Sequence, residues 1–255
     1  MPQFIDYKEI FETRGMEYNL AMLRSPDARK EEFLNLIQFI DNTERLKIID
    51  IPSGGGYLRK YLAEKHYLLC AEEANFFYHN CAVKHNQNKI MYQKNIPLEV
   101  DDKSFDVTVS LAGLHHFQSK NWIISEFARV LKNYGQLIIA DVYKTSKVDK
   151  FLNEFVDKNN SIGHLGYFLD EEFNIILDKN NIKISFNENI KFFWIFTSLD
   201  EMANFCKNLF GLDKCNNSDI INGINEYLGF IMENNVVKMN WELKYIYGSK
   251  IVADL

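Results

Sequence analysis

Apolar and polar positions along this chain follow two periods. Ile48 to Ile51, His66 to Ala71, Ile90 to Gln93, Phe105 to Leu111 and Gln136 to Asp141 are short, mostly apolar runs, the pattern of strands buried on both faces. Between them, apolar residues recur three and four apart. Ala28 to Ile40 carries Phe33, Leu36, Ile37 and Ile40, and Tyr57 to Lys65 carries Tyr57, Leu58, Tyr61 and Leu62. Trp122 to Leu131 has the same spacing, with Gly135 as its expected stop. Strands alternating with helices predict an α/β layer architecture. Asn181 to Phe186 and Trp241 to Tyr247 alternate with period two and add two further strands.

The first strand delivers the chain into Pro52-Ser53-Gly54-Gly55-Gly56, and a helical pattern leaves it. A strand, a glycine loop and a helix bring backbone close to a nucleotide-containing cofactor in a Rossmann-like domain. The second strand ends at Glu72-Glu73. An acid there is placed to accept hydrogen bonds from a ribose, with Glu72 the first choice because it directly follows the apolar run. Two acids at a helix start are the plainer alternative.

Asp50-x-Pro52-x-Gly54-x-Gly56 resembles the first motif of class I S-adenosylmethionine-dependent methyltransferases, with Pro52 where the first of three glycines stands. Asp102-Lys103-Ser104-Phe105-Asp106 resembles the lead-in to that family's fourth strand, and Ala112-Gly113-Leu114-His115-His116-Phe117 its histidine-bearing turn. The helix, the Lys132-Asn133-Tyr134-Gly135 turn and the following strand complete a likeness over residues 45–145. It implies a Rossmann-like, doubly wound, mostly parallel seven-stranded sheet with an antiparallel last strand. It also implies S-adenosylmethionine as cofactor, held by Asp50, Pro52, Gly54, Gly56, Glu72, Glu73 and Leu111. Asn95 and Ile96, after the third strand, are the expected adenine contacts, although the acid common there is missing. A nicotinamide fingerprint fits less well, because Arg59 stands at its third glycine.

Two segments lie outside this frame. Residues 1–28 are expected to form an N-terminal helical lid, with Arg14 and Tyr18 as substrate or cofactor contacts. Residues 191–237 are expected to form a helical cap between strands six and seven, opened by Phe192-Phe193-Trp194-Ile195-Phe196, with Trp194 lining a substrate pocket. Residues 29–190 and 238–255 would form the cofactor-binding domain.

Composition narrows the partners. A formal charge of −6 and the absence of any Lys/Arg cluster argue against a nucleic-acid partner. With 20 Phe and 13 Tyr, a ring-rich interior or pocket is expected. Cys70, Cys81, Cys206 and Cys215 show no zinc spacing, and no metal is expected. No signal peptide and no apolar run approaching the roughly 18 residues that span a membrane is present, so a cytoplasmic protein is expected.

A sulfonium methyl is already activated, so its transfer needs alignment and exclusion of water. A base is needed only when the acceptor must lose a proton. His115 and His116 follow the fourth strand, on the ligand side of such sheets, and His116 is the first choice for the base. Capping or backbone bonding is the alternative for either ring. His164, between two glycines, is a further substrate contact, and Asp141 ends the fifth strand. The expected activity is methyl transfer to an O, N or C atom of a small, partly apolar or aromatic molecule. A cyclase- or isomerase-like use of the same cofactor, or a non-catalytic cofactor-binding scaffold, stands beside it. Oligomeric state is not legible.

Overall fold

The apolar runs become strands in the computed structural model, which describes residues 7–72, 74, 76–77, 90–93 and 97–252. Strands β1 (Lys47–Asp50), β2 (Tyr67–Ala71), β3 (Ile90–Gln93), β4 (Phe105–Leu111) and β5 (Leu131–Asp141) pair in parallel. Strands β6 (Ile182–Phe196), β7 (Phe230–Glu233) and β8 (Val236–Lys250) add antiparallel pairings. The order is β3-β2-β1-β4-β5-β8-β6, with β7 paired to β8. The seven expected strands are present, the last one antiparallel, and β7 is an eighth.

Alternation within the strands splits the core in two. Ile48, Leu68, Cys70, Val109 and Ile138 face one layer, and Ile49, Leu69, Leu137 and Ile139 the other. The first layer is covered by helices α1 (Tyr7–Arg24), α2 (Lys30–Ile37), α6 (Leu199–Phe210) and α7 (Asn217–Tyr227). It also takes a helical run made of α4 (Lys147–Lys150) and a π-helical stretch Phe151–Val156, which ends in one further turn. The second layer is covered by α3 (Lys120–Val130) and α5 (Glu172–Lys179).

Four local expectations change. The segment after the glycine loop is a 3₁₀ turn, Tyr57–Lys60, and not a helix to Lys65. Arg59 takes the carbonyls of Leu62, Ala63 and His66, and so ties the chain into a loop there. Gly135 lies within β5 and does not stop α3. The left-handed residue is Tyr134, and a side chain on Gly135 would meet Lys132 and Asp106 carbonyl oxygens at 2.9 and 3.1 Å. The pentad 192–196 continues β6 rather than opening a helical insertion, and the segment expected to be a helical cap also holds a strand, β7. Gly229 ends the preceding helix in the left-handed region (φ 78°) and donates to Ile224 O. The segment between β6 and β8 therefore runs from 197 to 235 and holds α6, α7 and β7.

The helical starts follow their sequence signals. Ser198 accepts from Glu201 N–H at the head of α6, and Asn216 and Asp219 form a full capping box on α7. Gly211 closes α6 at φ 64°.

Arg29 and Glu32 bracket a stretch of mixed charge, Arg29-Lys30-Glu31-Glu32, yet both are buried. Arg29 grips Glu32 through Nε (2.8 Å) and Nη2 (2.5 Å), and donates from Nη1 to the Tyr18 hydroxyl. Trp194 Nε1 donates to Glu32 Oε2 at 2.9 Å, and Tyr245 donates to Glu32 O. Burial alone opposes the Arg29 charge, but Glu32 and Tyr18 outweigh it and raise the guanidinium pKa. Removing one member of such a pair strands the other, which costs about 3–5 kcal/mol, whereas apolar replacement of both is far milder. Glu32→Ala is therefore expected to lose about 3–5 kcal/mol in urea unfolding, and Arg29→Met/Glu32→Leu much less. Equal losses would refute the pairing as the source.

Among the described residues, no helix is long and apolar enough to cross a membrane.

Candidate functional site

Strand order reverses between β1 and β4, and open α/β sheets place their ligand crevice at such a switch point. The loops after β1 and β4 meet there. Gly54 and Gly56 take positive φ values of 52° and 72°, a backbone that glycine adopts without strain. A side chain on Gly113 would come within 2.5 Å of Pro52, so the two loops pack against each other through these residues. Ala112, between β4 and Gly113, also has positive φ (48°). A non-glycine residue in that region stores strain of a kind that gathers at functional sites.

The cleft above these loops brings together most of the expected site residues. Asp50, Pro52, Gly54 and Leu111 form its floor, His115, His116 and His164 one wall, and Arg14, Tyr18 and Trp194 line it as well. Gly56 and Glu72 stand behind that surface. Glu73, Asn95 and Ile96 lie outside the described residues. Not anticipated were Phe11 and Phe77 beside Tyr18, with ring centroids 5.3–5.8 Å apart, and Trp241, stacked 4.2 Å from Trp194. Phe11, Arg14 and Tyr18 are three and four residues apart, one face of α1, and that spacing was a readable signal. Trp241 was read only as one position of an alternating strand.

Glu72 is fully buried and accepts Gly54 N–H (2.7 Å) and Ala74 N–H (3.0 Å). It thereby fixes the glycine loop against the end of β2. Burial, and then the Glu72 charge, push the Asp50 carboxyl well above the ordinary carboxylate range. A buried Asp50 carboxyl beside that charge favours a donor or a cation next to it.

Asp141 is also fully buried. Burial alone would raise its pKa, but His115, the Val142 N–H and Lys120 hold it below the ordinary value. An ionised carboxylate only accepts, so the 2.7 Å contact from Oδ1 to His115 Nδ1 makes that nitrogen the donor. Nε2 is then the nitrogen left to take a proton. His115 N–H donates to Oδ2 (3.1 Å) and Val142 N–H to Oδ1 (2.7 Å). The aspartate thus fixes both the tautomer and the turn carrying the ring, an arrangement that orients a general base.

His116 lies 4.2 Å from His115 between ring centroids, and His164 lies 5.8 Å from His115. Burial, helped by the His115 ring and Arg14, drives His164 down to about 3, and burial with the neighbouring rings drives His116 well below its ordinary value. Asn153, in the π-helical stretch, accepts Gly166 N–H at 2.8 Å, and Asp157 accepts His164 N–H at 2.8 Å. The His164 loop is held at both ends. Among the described residues, no three His, Cys, Asp or Glu side chains are arranged to hold a metal ion.

A family model described as a methyltransferase domain matches residues 49–139, the stretch from β1 through the core of β5. Residues 49–139 are thus similar to methyltransferase domains. The chain's fold is that of the class I enzymes. A ubiquinone biosynthesis O-methyltransferase of Rickettsia conorii is 28% identical over 111 residues, 42% of this chain and 38% of that protein. The match thus spans well under half of the curated relative's length. Among solved structures, the [4+2]-cyclase SpnF superposes with a TM-score of 0.67 at 12% identity, covering 99% of each chain. A phosphoethanolamine N-methyltransferase of Haemonchus contortus, in complex with phosphomonomethylethanolamine and S-adenosylhomocysteine, gives 0.66 at 14% identity. That alignment covers 99% of this chain and 62% of the other. These two likenesses establish the fold of the methyltransferase domain and its flanks.

A neutral His164 carries a pH signature. Unfolded, a histidine binds a proton below about pH 6.5, while folded His164 binds one only near pH 3. Between those values the unfolded chain holds the extra proton, so stability falls with falling pH by up to about 1.4 kcal/mol per unit. His164→Gln is expected to flatten this acid slope by up to that amount in urea titrations at pH 6.5, 5.5 and 4.5. An unchanged slope would show that His164 titrates normally when folded.

Proposed function

We propose that this protein is a cytoplasmic S-adenosylmethionine-dependent methyltransferase that methylates a hydroxyl oxygen of a small molecule. The observation that carries this reading is the buried Asp141–His115 pair, which fixes a proton-accepting nitrogen beside the cofactor loops. The fold by itself does not decide the reaction, since a cyclase shares it. The free thiols of Cys70, Cys206 and Cys215 suit a reducing compartment.

The residues fit the cofactor. Glu72, at the end of β2, is placed for the ribose, Asp50 for the ammonium of the amino-acid portion, and Leu111 and Phe77 for apolar packing. The raised Asp50 carboxyl beside buried Glu72 is the supporting observation, because a cation there relieves both. When bound, the cofactor supplies a methyl group on a sulfonium sulfur, which departs as a neutral thioether. His115 Nε2 takes the acceptor's hydroxyl proton as the oxygen–carbon bond forms, and Asp141 stabilises the imidazolium. Phe11 and Tyr18 on α1 close the cleft from above and exclude water. His116 and His164, both neutral, orient the acceptor by hydrogen bonds without adding charge. In this reading residues 7–28 act as the lid and the α6–α7 segment as the cap.

Calorimetric titration with S-adenosylmethionine, S-adenosylhomocysteine and NADH should show saturable binding of the first two only. Glu72→Ala should weaken S-adenosylhomocysteine at least tenfold, and parental affinity in that variant would remove Glu72 from the cofactor site. His115→Ala should hold S-adenosylhomocysteine within twofold yet lose about 10²–10⁴ in methyl transfer, the usual contribution of a positioned base. Loss of less than tenfold would assign the proton to another group.

A further inference from the structure

The two arginines that line the cleft differ in their partners. Arg29 is paired with Glu32, and His115 with Asp141. Arg14, on the lid face of α1, lines the same cleft but has no carboxylate within ion-pair distance among the described residues. Its Nη2 donates to Leu209 O at 3.1 Å, while its Nε is buried without a hydrogen-bond partner. A desolvated N–H left unmet in a cleft wall is a place for a ligand acceptor.

The site is built around this guanidinium. It lies over the backbone of Gly211, where any side chain would overlap it, and beside the last carbonyls of α6, whose dipole favours a cation. Asp213 and Glu17 act on it only at longer range. Burial lowers its pKa to about 10, which leaves it charged at neutral pH. His116 and His164, the titratable rings nearest along the wall, feel its positive field. Trp194, Phe210 and Trp241, which line the same cleft, stack on one another at centroid separations of 4.2–6.1 Å.

We propose that Arg14 docks a carboxylate of the methyl acceptor, so that the acceptor is a hydroxylated, ring-bearing carboxylic acid. A guanidinium edge meets a carboxylate with two parallel charge-assisted hydrogen bonds, and aromatic walls suit a flat ring between that end and the base. The inference rests on the methyltransferase reading above. The cofactor's own α-carboxylate has the same chemistry. The acceptor is favoured because the groups outside α1 that touch or sense Arg14 (Leu209, Gly211, Asp213, His116, His164) belong to the cap and the histidine wall, and none to the glycine loop.

Two measurements on the full chain separate these sources. In calorimetry, Arg14→Gln should bind S-adenosylhomocysteine within twofold of the parent. A loss of tenfold or more would assign the carboxylate to the cofactor and overturn the proposal. Absence of binding in the parent would instead sink the methyltransferase reading itself. In labelled-methyl uptake, 3,4-dihydroxybenzoate is compared with 3,4-dihydroxybenzamide, and 4-hydroxyphenylacetate with its amide. Each acid should exceed its amide at least tenfold in kcat/KM. That preference should collapse in Arg14→Gln and return in part in Arg14→Lys. A lid merely loosened by the substitution would slow acid and amide alike and leave their ratio unchanged, which overturns the proposal. Equal use of acid and amide in the parent, or use of neither, overturns it as well.

Discussion

Four carboxylates beside the cleft are cut off from water, and each must gather donors or lose its charge; Asp50 is pushed toward the neutral form. Glu72 gathers the amides of Gly54 and Ala74. Asp141 gathers the His115 ring, the His115 amide and the Val142 amide. Glu32 gathers Arg29 and the Trp194 indole. The same requirement therefore fixes the glycine loop, the histidine turn and the outer wall. Loops that carry function are mobile by default. Here each is tied through a buried anion to an element that cannot shift without stranding a charge.

How much of this was legible in the sequence depends on the range of the interaction. Strands buried on both faces must be apolar throughout, so β1, β2, β4 and β5 announced themselves, and the glycine loop and Glu72 came with them. Arg14 and Tyr18 were legible because one face of one helix carries both. The His115–Asp141 pair joins the turn after β4 to the end of β5, and nothing in linear spacing favours His115 over His116. Nothing in the local sequence marks Arg29 and Glu32 as a buried pair, because their burial depends on Trp194, far away in the chain. The length of β6 was hidden by the exposed polar stretch around Asn187–Asn189, which interrupts the apolar signal while the backbone continues. The 3₁₀ turn after Gly56 was missed because Arg59 binds carbonyls through its side chain, a contact that hydrophobic periodicity does not register.

On the proposed function, the cofactor side and the acceptor side also differ in construction. The former rests on parallel strands and two packed loops, where Pro52 against Gly113 leaves no room for change. The latter rests on helices and on the antiparallel β6–β8 pair. In β8, only residues Lys244–Ser249 pair with β5. The preceding residues pair with β6 and β7 alone, as a ribbon reaching beyond the parallel sheet.

That ribbon has a consequence for how selectivity can drift over evolutionary time. Its alternation presents Trp194, Trp241 and Leu243 to the cleft, while the intervening residues face elsewhere. Replacing these inward positions would reshape the acceptor chamber without disturbing a single backbone hydrogen bond of the parallel sheet. On the proposed function, new acceptors could then be acquired by exchanging a few side chains on an outlying ladder while the cofactor cradle stays as it is.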